Sequence, residues 1–279
     1  QGQVILKRTY ARISDTESAH DTFYVYDDFG NLTYVLPPKT DSQLAPPTTT
    51  ELNELCYQYI YDHRNRLVEK KIPGKGWEYI VYDNLDRPVL TQDANLRTVN
   101  DWLYTKYDHL GRVVSTGKYH NGRTRLTMHP QLDGLTATRL YDSRTTTKKT
   151  VNNVDLFYNH YAYPYENSSN VDIYTVNYYD TYIDLPTALN PIVTTSYGVT
   201  STTNTKGLAT VSKVRVLGST NPIKWITTAT YYDEKARPIY VYSKNDELET
   251  IDIVESKLHD FTGKVLETKS THKKDGKTD

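Results

Sequence analysis

The feature that most constrains this chain is a short motif that it repeats. Each copy is an apolar or aromatic run, then Tyr-Asp, two variable residues, a Gly, Asn, Asp or Ala, a basic or amide residue, and a second apolar run. Two copies follow one another in YIYDHRNRLVEKKIPGKGWEYIVYDNLDRPVLTQ, residues 59–92. Such self-similarity predicts a repeat protein, because one copy is too small to bury its apolar face alone.

Six copies of the motif are well formed, and their spacing is uneven, which indicates insertions between units. They read YVYDDFGNLTYV from Tyr24, YIYDHRNRLVEK from Tyr59, YIVYDNLDRPVL from Tyr79, TKYDHLGRVVST from Thr105, TYYDEKARPIYV from Thr230 and KLHDFTGKVLET from Lys257. Weaker copies stand at Tyr141-Asp142 and Tyr179-Asp180.

Each copy predicts a β-hairpin. Alternate tyrosines such as Tyr57, Tyr59 and Tyr61 share one face of a strand. The Asp after Tyr ends the strand, because its carboxylate can accept a hydrogen bond from the backbone two residues on. A position of positive φ follows, which suits Gly, Asn or Asp. It is occupied by Gly30, Asn65, Asp86, Gly111 and Gly263.

The basic residue that starts each return strand lies close enough in sequence to reach the turn carboxylate. We expect a surface ion pair there, worth roughly 0–1 kcal/mol. The residues assigned a structural role in the turns are Tyr26, Asp27, Gly30, Tyr61, Asp62, Arg66, Tyr82, Asp83, Arg87, Tyr107, Asp108, Gly111, Arg112, Tyr232, Asp233, Arg237, Asp260, Gly263 and Lys264. Because one hairpin is marginal alone, the repetition predicts an all-β chain whose consecutive hairpins join into a long antiparallel sheet.

Composition agrees with strands and excludes several classes of function. The chain has 26 Tyr but only 4 Phe, and Tyr favours pleated surfaces that are only partly dry. A net charge of −1 gives no basic excess for nucleic acid and no attraction to an anionic membrane. No apolar run reaches transmembrane length, and the single cysteine excludes an internal disulfide.

The motif divides the chain into five stretches, and we expect the whole to be an internal segment of a larger protein. They are a first hairpin at 1–34, a Pro- and Thr-rich irregular crossing at 35–55, regular repeats at 56–119, degenerate Tyr- and Thr-rich repeats with insertions at 120–228, and further repeats at 229–279. Residues 246–260 fit a short amphipathic helix, but the alternation of Ile251 and Ile253 favours a strand.

No pattern of catalytic, cofactor-binding or metal-ligating residues stands out. His63 and His109 occupy the same turn position of two copies and are predicted to face solvent, and Cys56 is predicted to be a small buried residue. The densest tyrosines are candidates for stacking against sugars, although packing between strands explains them better. These candidates for glycan binding are Tyr158, Tyr161, Tyr163 and Tyr165.

The six copies resemble the YD repeats of the Rhs family, which occur in bacterial polymorphic toxins, insecticidal toxin complexes and animal teneurins. The longer phrases FYVYDDFGNLTYVLPP and YIYDHRNRLVEKKIPGKGWEYIVYDNLDRPVLTQDANLR resemble the large YD-repeat surface proteins of Bacteroidota. The resemblance implies a sheet strip that curls into part of a hollow shell around a C-terminal toxin. The Asp- and Pro-containing self-cleavage motif that ends such shells has no counterpart in this sequence.

Two functions therefore remain open. The first is a structural segment of a secreted or cell-surface shell that encloses or carries a C-terminal effector, exported, if the parent is from Bacteroidota, by type IX secretion. Its partners would be the rest of its own polypeptide and components of the translocon. The second is an extended adhesin or glycan-binding module without cargo. Neither is an enzyme, and neither needs a cofactor.

Overall fold

The apolar runs that flank each Tyr-Asp pair form strands, as the period-2 alternation predicts. The computed structural model describes residues 2–13, 16–40, 45–165, 168–187, 189, 194–220 and 222–279. The chain divides into two compact units. Unit 1 comprises residues 1–103 and 120–135, and unit 2 comprises residues 104–119 and 136–279.

The strands of unit 1 are antiparallel, and each is hydrogen-bonded to the next strand along the chain. Its strands are β1 (Leu6–Ile13), β2 (Thr16–Tyr26), β3 (Leu32–Leu36), β4 (Tyr57–Tyr61), β5 (Leu67–Lys71), β6 (Glu78–Tyr82) and β7 (Pro88–Gln92). The next strand, β8 (Asp101–Tyr107), passes from unit 1 into unit 2.

Three short α-helices interrupt the strands of unit 1 in the described part of the chain. They are α1 (Thr49–Glu54), α2 (Ala94–Thr98) and α3 (Arg125–Asp133). The stretch 35–55 is therefore not wholly irregular, because Thr48 and Glu51 form a capping box that starts α1. Within the described residues, no helix has the length and apolar character needed to cross a membrane.

Unit 2 continues the antiparallel pairing but carries insertions. Its remaining strands are β9 (Val113–His120), β10 (Arg144–Val151), β11 (Val154–Tyr158), β12 (Val171–Asp180), β13 (Thr195–Ser196), β14 (Val199–Thr200), β15 (Thr205–Arg215), β16 (Trp225–Tyr232), β17 (Pro238–Asn245), β18 (Thr250–Leu258), β19 (Val265–Lys274) and β20 (Lys277–Thr278). The hairpins β10–β11 and β13–β14 form separate two-stranded sheets, so β9 pairs with β12 and β12 with β15.

The fold class is all-β, as the repeat predicts. Sixteen strands make one long antiparallel sheet in the order β1 to β9, β12, β15 to β20. Residues 250–258 form a strand and not the alternative helix. In unit 1 the buried core includes Val81, Leu90 and Trp102, and Cys56 is also fully buried.

Unit 2 has a core rich in tyrosine rings, which explains part of the unusual composition. Tyr178 and Tyr231 are fully buried. The Tyr158 and Tyr178 rings stack in parallel with centroids 5.4 Å apart, and Tyr182 stacks on Tyr231 at 4.5 Å. Such pairs stabilise a core beyond the area they bury.

Candidate functional site

The residues with the most regular geometry are the Tyr-Asp turns, and Asp83 shows their construction. Its Oδ1 accepts hydrogen bonds from the backbone N–H groups of Leu85 (2.9 Å) and Arg87 (3.0 Å). Its Oδ2 accepts from Nε (2.9 Å) and Nη2 (2.7 Å) of Arg87. The backbone of Asp83 closes the same loop, because its N–H donates to the Arg87 carbonyl at 3.0 Å. One carboxylate thus organises the whole five-residue turn.

The same network is rebuilt in five hairpins. In each, the Asp N–H donates to the carbonyl four residues on, and Asp Oδ1 accepts from the N–H groups two and four residues on. The acceptors are Asp27, Asp62, Asp83, Asp108 and Asp233. The side chain at the fourth position completes the ring as Asn31, Arg66, Arg87, Arg112 or Arg237.

The third turn position requires the left-handed backbone region in all five hairpins. It has φ of 86° at Gly30 and 78° at Gly111, where glycine adopts it without strain. Asn65, Asp86 and Ala236 have φ between 57° and 61°. Ala236 is the unfavourable member of this set, because alanine has no polar side chain to offset the conformation.

The motif tyrosines Tyr61 and Tyr82 each link one hairpin to the previous one. The Tyr61 hydroxyl donates to the carbonyl of Leu32 (3.0 Å), the first residue of the preceding return strand. Tyr82 donates in the same way to Leu67 at 2.9 Å. In unit 2, Tyr179 donates to Val113 at 2.9 Å. Phenylalanine lacks this donor, so the contact gives a physical reason for the excess of Tyr over Phe.

Two motif arginines, Arg66 and Arg112, make contacts in the opposite direction, to residues later in the chain. Arg66 Nη1 donates to the carbonyl of Asp83 (3.1 Å) and to Asp86 Oδ1 (2.9 Å), and its guanidinium lies 5.0 Å from the Tyr82 ring centroid. In unit 2, Arg112 reaches Asp180 through Nη1 (3.0 Å) and Nη2 (2.8 Å). The neighbouring turns at Asp62 and Asp83 are therefore tied by a forward Arg contact and a backward Tyr contact.

The expectation of weak surface ion pairs in these turns is wrong. Asp83 is 1% exposed, and Asp62, Asp108 and Asp233 are also largely buried. Burial raises the pKa of the Asp62 carboxyl, but hydrogen bonds from Arg66 and the turn backbone outweigh it, so that its pKa lies below the ordinary value. A buried, fully bonded pair is strongly destabilised when one partner is lost.

The sixth copy departs from the pattern. His259, not Asp260, pairs its N–H with the Lys264 carbonyl, which makes the loop one residue longer. Asp260 is 89% exposed and binds Lys235 Nζ at 2.5 Å. Gly263 retains a φ of 70°, and its N–H donates to the carbonyl of His259. Lys264 stands at the position where Asn or Arg completes the ring in the other copies.

The two weaker copies are not hairpin turns. Asp142 accepts a hydrogen bond from the N–H of Ala162 (2.7 Å), twenty residues away. Asp180 has φ of 71° and accepts from Arg112 and from the N–H of Gly207 (2.7 Å). Asp180 therefore joins β12 to the β8–β9 turn and to β15, whereas Asp142 bonds within the insertion between β9 and β12.

The four tyrosines predicted as glycan contacts do not form one open platform. Tyr158 and Tyr163 are buried, and Tyr158 donates its hydroxyl to the carbonyl of Asn177 at 2.7 Å. Tyr161 is 50% exposed, but Lys149 Nζ lies 5.6 Å from its ring centroid. The Arg139 guanidinium lies over the Tyr165 ring, with its Cζ 3.9 Å from the ring centroid.

One group in unit 1 has the residue types of a metal site. A ligand atom of Asp62, His63 and His129 lies within 4.8 Å of each of the others, and His63 is exposed, as predicted from its turn position. The Asp62 oxygens already accept two backbone N–H groups and the Arg66 guanidinium. Its lone pairs are committed to the turn, so this group does not make a metal centre.

A buried cluster in unit 2 was not predicted from the sequence. Lys106, Asp142 and His160 converge there, with Lys106 Nζ 2.9 Å from His160 Nδ1 and 3.7 Å from Asp142 Oδ2. The side chains of Lys106 and Asp142 are 0% and 1% exposed. The sequence could have indicated this cluster only through Lys106, a charged residue at a buried position of β8 directly before Tyr107-Asp108.

The fold and its turns define a repetitive antiparallel β-sheet protein. No family model matches the sequence, and no curated protein matches it. Among solved structures, the chain is similar to the crystal structure of TcdB2-TccC3-TEV, with 14% identity, a TM-score of 0.34 and 96% of this chain covered. The match extends over only 15% of the length of the TcdB2-TccC3-TEV chain. A similarity at this level does not assign a family.

Acid is expected to weaken the contact between Arg112 and Asp180. A hydrogen bond from Arg112 is the largest cause that lowers the Asp180 pKa, from 3.8 to about 2, with burial acting against it. This stabilisation is fully present above pH 4, and it is lost as the pH falls to about 2, because the unfolded chain binds its proton first. Urea unfolding between pH 5 and pH 2 measures the loss. Asp180→Asn should flatten that pH dependence, and an unchanged slope would contradict the assignment.

Proposed function

We propose that residues 1–279 form a wall segment of a YD-repeat shell in a secreted or cell-surface protein, and that the shell encloses or carries a C-terminal effector. The observation that supports this most directly is the repeated turn. Five hairpins use one Asp-centred network, and Tyr61, Tyr82 and Arg66 connect the first three copies to one another. Turns that repeat and bond to their neighbours favour a structural role in an extended sheet over a localised binding site.

The contacts between hairpins explain how such a wall keeps its shape. Backbone pairing alone leaves neighbouring hairpins free to shear at their turn ends. The Tyr82 hydroxyl and the Arg66 guanidinium join the turns from opposite sides, through Leu67 and Asp86. Each link is partly or fully buried, so that water competes with it poorly. These contacts therefore hold the turn ends of neighbouring hairpins in a fixed relative position.

The two outermost strands have an unpaired side within the described sheet. β1 pairs only with β2, and β20 with the adjoining Asp279 covers His272 to Lys274, the C-terminal end of the ten-residue β19. Unpaired edges recruit other strands. Val265 and Leu266 on β19 are also about half exposed.

We predict that the isolated chain self-associates through the β19 edge. Sedimentation velocity should show a concentration-dependent shift to larger species. The double substitution Val265→Lys and Leu266→Lys should suppress it, because charges on an edge oppose pairing. The control adds the same charge on two exposed turns, Leu217→Lys and Leu248→Lys, and should associate as wild type. A monomer at all concentrations would contradict an open edge.

Enclosure is tested on the full-length polypeptide that carries residues 1–279. Limited proteolysis followed by mass spectrometry should leave a segment without Tyr-Asp repeats protected until the shell is denatured. Trimming of every non-repeat segment would instead favour the adhesin. The same preparation tests export, since a secreted or surface protein should be recovered from the medium or by cell-surface labelling. Type IX export would be tested by deleting that system in the host.

A further inference from the structure

The buried cluster of unit 2 brings an amine and a carboxyl group together away from water. Lys106 comes from β8, Asp142 from the segment before β10, and His160 from the segment after β11. Asp142 Oδ1 accepts a hydrogen bond from the N–H of Ala162 at 2.7 Å, and Oδ2 faces Lys106 Nζ at 3.7 Å. His160 holds a φ of 55°, which is uncommon for a residue other than glycine.

The protonation states suit chemistry between these groups. Burial is the main cause that lowers the Lys106 pKa to about 8, with Asp142 opposing it and Lys149 adding to it. Burial, with Lys106 and Lys149, lowers the His160 pKa to about 3, so that the imidazole is neutral at pH 7. A larger share of the Lys106 amine is therefore uncharged near neutral pH than for an ordinary lysine.

We propose that Lys106 and Asp142 are a modification site, at which the chain forms an intramolecular amide bond between Lys106 Nζ and Asp142 Cγ. The geometry assigns each neighbour a role. His160 Nδ1 is placed to take the proton that the amine loses. The Ala162 N–H is placed to stabilise negative charge on Asp142 Oδ1. Closure of the site excludes water, which would otherwise solvate both reacting groups.

The step is a condensation and needs no oxidant or reductant. A proton passes from the Lys106 ammonium to the Asp142 carboxylate, leaving an amine and a carboxylic acid. The nitrogen lone pair forms the bond to Cγ, and Oδ1 takes up the negative charge. His160 accepts one proton from nitrogen and returns it to the Oδ2 hydroxyl. The Cγ–Oδ2 bond then breaks, Oδ1 re-forms the carbonyl, and one water leaves.

The bond would give the sheet a covalent tie where it carries an insertion. Lys106 lies next to the Tyr107-Asp108 turn, whereas Asp142 precedes the separate β10–β11 hairpin. A cross-link between them closes a long loop and restricts the unfolded chain. A noncovalent alternative leaves a charged lysine in a dry site, where desolvation opposes the ion pair.

Intact-mass spectrometry of the folded chain 1–279 is the direct test. We expect a mass lower than the sequence mass by about 18 Da, one water, after incubation at pH 8. Peptide mapping should yield a branched peptide joining the segments of Lys106 and Asp142. Full sequence mass in a chain that still unfolds cooperatively would overturn the proposal and leave a buried ion pair.

Three variants separate this chemistry from adventitious loss of water. Lys106→Arg keeps the charge but cannot form the amide, and should retain the full mass. The matched control is Lys213→Arg, at an ion pair with Asp184 of 2.8 Å outside the cluster, and should still lose water. Asp142→Asn should lose about 17 Da, as ammonia, because the amide nitrogen becomes the leaving group. A loss of water in Lys106→Arg would place the modification elsewhere and overturn the proposal.

A rate measurement tests His160. His160→Ala should slow bond formation by about a hundred-fold, within the range for a positioned base. The wild-type rate should rise between pH 6 and pH 8 as the Lys106 amine loses its proton. An equal rate in His160→Ala would remove the imidazole from the reaction.

Discussion

Replacing Asp83 by alanine should lower the free energy of unfolding by about 3–5 kcal/mol, the cost of breaking a buried ion pair. The carboxylate is 1% exposed and accepts four hydrogen bonds, two from backbone N–H groups and two from Arg87. Alanine leaves the N–H groups of the turn without their acceptor and removes the carboxylate that pairs with Arg87. Urea unfolding followed by circular dichroism measures the change.

A second substitution distinguishes the loss of the pair from the loss of the turn. Arg87→Met in the Asp83→Ala background should recover part of the stability, because it removes a charge that has lost its Asp83 carboxylate, while the backbone donors remain unsatisfied. Asp260→Ala is the control, since that carboxylate is 89% exposed in the divergent sixth copy, and it should leave the free energy of unfolding almost unchanged. Equal effects at Asp83 and Asp260 would show that the turn network is not the stabilising element.

The hairpins and their turns could be predicted because the information is local. Tyr-Asp, a residue that tolerates positive φ and a basic residue stand within six positions, and the structure places them in one loop at five of six copies. The failure at Asp260 is also local, because Lys264 stands where Asn or Arg completes the other rings. The short helix α1 was missed although Thr48 and Glu51 spell its capping box.

What could not be predicted is how strongly the turns interact and what lies beside them. Burial of Asp83 depends on neighbouring strands, so that one copy read alone suggests an exposed pair. The contact of the Tyr82 hydroxyl with Leu67 requires the register between hairpins. The cluster around Lys106 joins residues separated by 36 and 54 positions, and no spacing rule connects them. Such contacts are set by topology and not by local sequence.

The second large effect is expected at Gly117, inside strand β9. A Cβ atom built on this residue would lie 1.9 Å from the carbonyl oxygen of Asp172 and 2.9 Å from the Tyr104 ring. Gly117 faces Ile173 of β12, next to an irregularity in the register between Ile173 and Thr175. A glycine within a strand often marks such close approach of two backbones.

Gly117→Ala should therefore destabilise unit 2 by about 3 kcal/mol or more, at or above the upper end of overpacking costs, because the obstacle is backbone and cannot rotate away. Urea unfolding gives the size of the effect, and hydrogen exchange should show faster opening in β9 and β12. Gly122→Ala is the matched control, since its Cβ would meet only the Asn100 side chain at 3.7 Å. It should change stability by less than about 1 kcal/mol.

The β9–β12 pair has a particular importance for a wall built from hairpins. Elsewhere in unit 2 most neighbouring strands of the long sheet follow each other in the chain, whereas here the β10–β11 hairpin is set aside and the sheet resumes at β12. If Gly117 allows that close join, Gly117→Ala should loosen β9 and β12 while the Asp233 hairpin keeps its protection. Uniform loss of protection across unit 2 would instead mean that the unit unfolds as a whole and that the join is not a separate point of weakness.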